Sequence, residues 1–201
     1  MKISTTISKL GDKIPSFNLP PIITCRADAP CKYGCYAVKG RWNYENVKKS
    51  LIENLNEYKN DSNKLFQEII NYINNGDVIY KFFRWFSSGD IVDTKFFLGM
   101  IKVAKICKAT KFLCFTKKFS IVNSYLALNK KLPNNLKIVF SGWDEDFKID
   151  NPFNLPTTYV YWKNRSNKHI PEYAIHCVGD CRTCKACWGL KKRQSVYFDK
   201  H

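Results

Sequence analysis

Three stretches of β-branched and aromatic residues, each running into small polar residues, constrain the fold of this chain more than any other feature. Val78 to Phe86 leads into Ser87-Ser88-Gly89-Asp90, Phe112 to Phe115 into Thr116-Lys117, and Leu136 to Phe140 into Ser141-Gly142-Trp143. Between them lie helical segments over about 93–107 and 120–129; in the first, Phe97, Met100, Ile101 and Ala104 recur at the spacing of one helix face. Strands alternating with helices of about ten to fifteen residues predict a parallel sheet with right-handed crossovers. In such sheets the polar residues at the carboxyl ends of the strands gather on one rim. Ser88, Gly89, Asp90, Thr116, Lys117 and Ser141 are therefore expected together.

The pattern extends in both directions. Asn43 stands as the cap of a helix whose apolar positions Tyr44, Val47, Leu51, Leu55 and Tyr58 share one face. Ser62 caps a second, with Phe66, Ile69, Ile70 and Ile73 inside, closed by Asn74-Asn75-Gly76. Thr158 to Trp162 and Tyr173 to His176 read as short strands, the latter running into Cys177. Upstream, Pro15, Pro20 and Pro21 exclude helix, so residues 1–24 read as an extended lead-in whose Ile22-Ile23-Thr24 forms a short strand ending at Cys25. With 201 residues, 45% hydrophobic, the chain can bury about two-thirds of its unfolded surface in one core. The expected architecture is α/β, a partial (β/α) barrel of mainly parallel strands with a Cys-rich loop at each end. It is expected as a single domain over 1–201: the lead-in, a Cys loop over 25–36, a β/α core over 42–176, a Cys knot over 177–190 and a basic tail over 191–201.

Seven of the nine cysteines form two groups. Cys25, Cys31 and Cys35 are separated by five and three residues; Cys177, Cys181, Cys184 and Cys187 by three, two and two. Pro30 and Gly34 let the first loop fold back so that its thiols face one point. Thiolate is a soft ligand that suits Zn²⁺ and iron–sulfur clusters. The C-terminal four could close a zinc tetrahedron alone; the N-terminal three could not. Cys181, Cys184 and Cys187 carry the C-x₂-C-x₂-C run of iron–sulfur proteins. Three thiols on a cubane would leave one iron open to a ligand. One or two [4Fe–4S] clusters are therefore expected, with zinc as the alternative. Cys107 and Cys114 read as small buried hydrophobes, and His176 as a hydrogen-bonded group at a strand end.

Thirty-three Lys and Arg against seventeen Asp and Glu give a net charge of +16, which points to nucleic acid or another polyanion as a partner beside a small-molecule substrate. Tyr33, Tyr36, Trp143 and Trp188 are the aromatic residues expected near the site, where they could stack bases. No apolar run reaches the roughly twenty residues of a membrane span, and the first residues lack a secretory apolar region. A reducing, cytoplasmic setting is expected, in which grouped cysteines serve as ligands. Among the polar residues at the strand ends, Asp90 could act as acid or base, Lys117 could pair with a phosphate or carboxylate, and Ser88, Ser141 and Asp144 are site or turn residues. Arg84 lies in an aromatic strand, where burial would demand an anionic partner.

Three segments together, Thr24-Cys25 through Cys31-Lys32-Tyr33-Gly34-Cys35-Tyr36-Ala37, then Ser88-Gly89-Asp90, then Cys184-Lys185-Ala186-Cys187-Trp188, carry a likeness. The chain resembles, over about residues 12 to 190, small phage-encoded proteins of the "gene product eighty-eight" type. These look like distant, shortened relatives of the radical S-adenosylmethionine (SAM) enzymes. That resemblance implies a three-Cys [4Fe–4S] loop after the first strand of a partial (β/α)₆ barrel, with SAM on the open iron. Cys25, Cys31 and Cys35 would match the loop, and Gly89-Asp90 the element that holds the SAM amino group. The gaps differ from the enzymes' three and two, and Gly34 stands where an aromatic residue precedes their third Cys. If the chain is phage-encoded, the cytoplasm is that of the host.

Overall fold

The apolar runs up to residue 161 pair side by side in the order in which they occur. The structure is a computed structural model that describes residues 1–75 and 78–200; the last residue of the expected Asn74-Asn75-Gly76 stop lies outside the described residues. The elements are β1 (Ile3–Ser4), β2 (Ser16–Phe17), α1 (Glu45–Asn60), α2 (Ser62–Asn74), β3 (Phe82–Trp85), α3 (Thr94–Ile106), β4 (Lys111–Thr116), α4 (Phe119–Ala127), β5 (Leu136–Ser141), β6 (Thr157–Tyr161), β7 (Ile175–His176) and β8 (Ser195–Asp199). They build a mixed α/β fold with one eight-stranded sheet in the order β1-β2-β3-β4-β5-β6-β8-β7. Among the described residues only the β1–β2 pair is antiparallel.

Because successive side chains on a strand point to opposite faces, each strand feeds two cores. Phe83, Trp85, Phe112, Cys114, Ile138 and Phe140 pack against Leu55, Phe66, Ile69, Phe96, Met100 and Val122 from the four helices. On the other face Leu113, Val139 and Val196 are covered by Leu10, Ile14, Trp188 and Leu190. The Cys knot therefore folds back onto the sheet face that the helices leave open. Trp188 is its anchor: buried, it donates its indole N–H to the Phe83 carbonyl at 3.2 Å. On the helix side, α2 and α3 approach so closely that a Cβ on Gly99 would lie 2.0 Å from the Phe66 ring. Cys107 and Cys114 are buried hydrophobes, as expected.

Several boundaries differ from expectation, each for a local reason. Asn43 belongs to a 3₁₀ turn over Gly40–Asn43, and α1 starts behind Tyr44 without a side-chain cap. Asp61, not Ser62, caps α2, its Oδ1 accepting from the Lys64 amide at 3.0 Å. The long run from Val78 pairs only over Phe82–Trp85, because Lys111 opens β4 opposite Phe82 and Phe86 swings to φ 58. Ile22-Ile23-Thr24 forms a turn, with Ile22 at φ 67, and the first parallel strand is instead Ser16–Phe17 upstream. The basic tail contains β8, a full strand between β6 and β7. Among the described residues no helix is long and apolar enough to cross a membrane.

Candidate functional site

The carboxyl ends of the strands open on a cavity of about 530 Å³. Its wall draws on the turns after β3, β4 and β5, on the loop after β2, on the ends of β6 and β8, and on the Cys knot. Six of the seven grouped cysteines line it, Cys25, Cys31, Cys35, Cys177, Cys181 and Cys187, together with Ser88, Gly89, Asp90, Lys117 and Ser141. Cys184 is exposed and lies outside the wall, and Trp188 plugs the sheet below it.

The β3 turn is held by polar groups that no motif announced. Asn18, buried just after β2, accepts on Oδ1 from the amides of Ser87 at 2.7 Å and Ser88 at 3.2 Å. Asn54 of α1 donates to the Asn18 carbonyl at 2.9 Å, tying helix to strand. The Thr24 hydroxyl donates to Pro20 O at 2.8 Å and accepts from the Asp90 amide at 3.1 Å. Gly89 at φ +82 sits against this loop so tightly that a Cβ would come within 2.7 Å of Leu19 O. Of the three polar residues only Asn18 lies directly beyond a strand, and none belongs to a spacing that a known chemistry requires.

Asp90 is 6% exposed, and its carboxylate is already engaged. Oδ1 accepts from the Thr116 hydroxyl at 2.6 Å and the Ile91 amide at 2.7 Å, and Oδ2 from the Lys117 amide at 2.9 Å. Burial raises its pKa above the ordinary aspartate value, and these bonds and the nearby Lys117 charge offset part of that rise. Asp90 thus locks the ends of β3 and β4 together beneath the cavity. Lys117 reaches the other way, its Nζ donating to Ser141 Oγ at 2.9 Å and lying 6.0 Å from the Trp143 ring. Ser88 turns inward, donating to Leu19 O at 3.0 Å, and serves the turn. Asp144 accepts from the Phe147 amide at 3.2 Å and lies outside the cavity wall, as does His176, stacked on Tyr197.

Each thiol group is gathered by its own loop. Tyr36 donates to the Ser87 carbonyl, pinning the 3₁₀ turns over Pro30–Gly34 and Tyr36–Val38 to the β3 turn. Burial, then the Asp90 charge, then Cys31 and Cys35 push the Cys25 thiol up to about 11. Cys35 is raised by burial and by Cys31, with Lys117 acting in the opposite sense. In the knot, Cys181 N–H donates to Lys9 O at 3.0 Å and Cys177 N–H to Tyr197 O at 2.7 Å. Asp180 turns the chain between them by accepting from the Arg182 amide and the Thr183 hydroxyl, each at 3.1 Å. Burial pushes Cys187 up to about 12, and Cys177, Cys181 and Cys184 add to it, while Arg84 opposes. Among the described residues no three His, Cys, Asp or Glu side chains converge in metal-holding positions. The loops thus bring their thiols into neighbourhood, not into a closed ligand set. Their donor chemistry, soft thiols in a three and a four, fits iron–sulfur or zinc.

Arg84 stands on the open face of β3 with its guanidinium 4.1 Å from the Phe115 ring centre, and its Nε donates to the Trp85 and Phe86 carbonyls, both at 3.3 Å. Tyr33 is 99% exposed, and Trp162 is flanked by Lys200 at 3.9 Å and Arg165 at 4.6 Å.

Compared with known proteins, residues 2–190 match the sequence pattern of one family, described as gene product 88. No curated protein and no solved structure matches the chain.

Proposed function

The chain belongs to the gene product 88 family, and we propose that it is an iron–sulfur protein of radical-SAM-like architecture that carries out redox or radical chemistry in the cavity described above. One observation carries this: thiols from the two ends of the sequence line one cavity with the polar residues of three successive strand ends. A structural metal staple needs no such shared space. The sheet, with β2 to β6 in consecutive order, is read as a partial barrel opening at this rim.

Cys25, Cys31 and Cys35 would hold a [4Fe–4S] cluster with one iron left for a ligand, SAM among the candidates, and the knot cysteines a second cluster or the same one. When bound, the cluster supplies single electrons to a ligand in the cavity. The chain's own residues do the rest. Asp90 fixes the floor, Gly89 lets backbone approach without a side chain in the way, Lys117 with Ser141 presents a positive group, and Trp188 with Leu10 closes the sheet side against water.

The test is anaerobic purification followed by iron, sulfide and zinc analysis, with absorption spectra before and after dithionite. Iron with matching sulfide and a visible band that bleaches on reduction is expected, and it is expected to drop in the Cys31→Ser variant. Zinc without sulfide would remove the redox proposal.

A second proposal keeps the metal structural and makes the chain a nucleic-acid-binding module. It is favoured by the exposed ring of Tyr33 on a +16 chain, since rings and cations together hold single strands. It requires RNA or DNA affinity that falls steeply with salt.

A further inference from the structure

Of the five cationic side chains on the cavity wall, Arg84 and Lys117 stand on adjacent strands. Among the described residues no carboxylate forms an ion pair with Arg84 or Lys117, whereas Arg26 pairs with Asp28 and Arg182 with Asp180. Both belong to the same face of the sheet: Arg84 pairs in register with Leu113, and Leu113, Phe115 and Lys117 alternate along and just beyond β4. The guanidinium leans along the sheet to Phe115, which leaves about two residues, ~7 Å, between its level and that of Lys117. Neither is a loose surface charge. Arg84 is half-buried, and its Nε is held by two carbonyls, so its outer N–H groups keep a fixed direction. Lys117 is held by Ser141. Of the two acids on the wall, Asp90 has its oxygens occupied by three donors, and Asp199 lies 3.6 Å from His176 Nε2. Beside the thiols, the wall carries the aromatic rings of Phe115, Trp143 and Phe198, and the volume of about 530 Å³ is that of a pocket for a molecule of nucleotide size.

Building on the assignment of this cavity as the ligand site, we infer that its ligand is a small organic anion whose phosphate or carboxylate is clamped between Arg84 and Lys117, with its apolar body against the aromatic wall. An arginine fork and a lysine point charge together match an oxyanion with several acceptor oxygens. Substrate selection at this site then rests on charge before shape.

The test uses two matched pairs of probes that differ only in the anionic group: adenosine 5′-monophosphate with adenosine, and N-acetyltryptophan with its amide. Titration calorimetry is run on the full chain, wild type, Arg84→Gln and Lys117→Met, each checked for folding by circular dichroism and for metal content. In at least one pair the anionic member is expected to bind about tenfold or more tightly than its neutral partner. That preference is expected to disappear in Arg84→Gln and to weaken in Lys117→Met. The pair that shows it identifies phosphate or carboxylate as the natural group. The inference is overturned if no pair shows a preference, or if the preference survives in both folded variants. It is equally overturned if Arg84→Gln alters only the metal content, which would make Arg84 a partner of the knot thiols. Because metal is measured separately, absence of iron with an intact preference would remove the cluster proposal and leave the clamp.

Discussion

At the scale of single residues the site depends on groups that look ordinary in the sequence. Gly89 is required by two independent facts, its φ of +82 and the 2.7 Å approach of Leu19 O to where a Cβ would stand. Gly89→Ala is expected to cost about 2 kcal/mol or more, read as a lower urea midpoint with unchanged slope. Asn18 supplies the acceptor for two turn amides, and the Thr24 hydroxyl the acceptor for a third; neither type of residue carries a motif, so sequence alone could not single them out. Asp90 was legible as a strand-end acid, but only the fold shows its oxygens bonded to Thr116, Ile91 and Lys117. Cys25 yields a pH prediction. Its thiol is raised from 9.0 to about 11, so the folded chain holds this proton more tightly than the unfolded chain does. In the metal-free protein its contribution is fully present below pH 9.0 and is lost as pH rises through about 11. Iodoacetamide labelling of Cys25, followed by mass spectrometry, should accelerate about tenfold per pH unit across that window, since only the thiolate reacts. A flat profile would contradict the buried setting.

At the scale of elements, the Cys knot is a cover for the sheet as well as a source of thiols. Trp188 contributes the buried ring and the bond to Phe83 that dock it, while Gly11 leaves room for the Arg182 stem that crosses the 7–11 turn. Trp188→Ala should cost about 4 kcal/mol. It should also free the knot, seen as faster tryptic cleavage after Arg182 and Lys185 while the α1–α4 core persists. If cleavage stayed as slow as in the wild type, the ring would not be the anchor. The helices were the most legible elements because their apolar faces repeat over many residues; their caps were misplaced by one residue because Asp61 and Ser62 are both good caps and only backbone geometry chooses between them. Strand lengths were overestimated where apolar runs exceed the pairing that neighbours offer, as from Val78 to Lys81.

For the whole molecule, the two thiol groups share a cavity, yet each thiol is influenced by the cysteines of its own loop, with Asp90 and Lys117 acting on the first group and Arg84 on the second. If each group holds its own cluster, as one form of the proposal has it, the two should be lost separately. Cys31→Ser and Cys187→Ser should each lower the metal per chain by about half under anaerobic reconstitution, and the double variant should bind none; complete loss in either single variant would mean one shared centre. The sequence by itself determined the alternation of strands and helices, the parallel pairing that alternation requires, the strand-end polar rim and the family, because these depend on local periodicity and short motifs. Tertiary structure alone decided that Ser16–Phe17 is the first parallel strand, that the basic tail is a strand beside β6, and that the Cys knot lies across the open sheet face. Two-residue strands and a tail of mixed composition carry too little periodicity to be read locally. Their places are set by which sheet edge is left to pair and which apolar face is left to cover, and those are properties of the assembled chain.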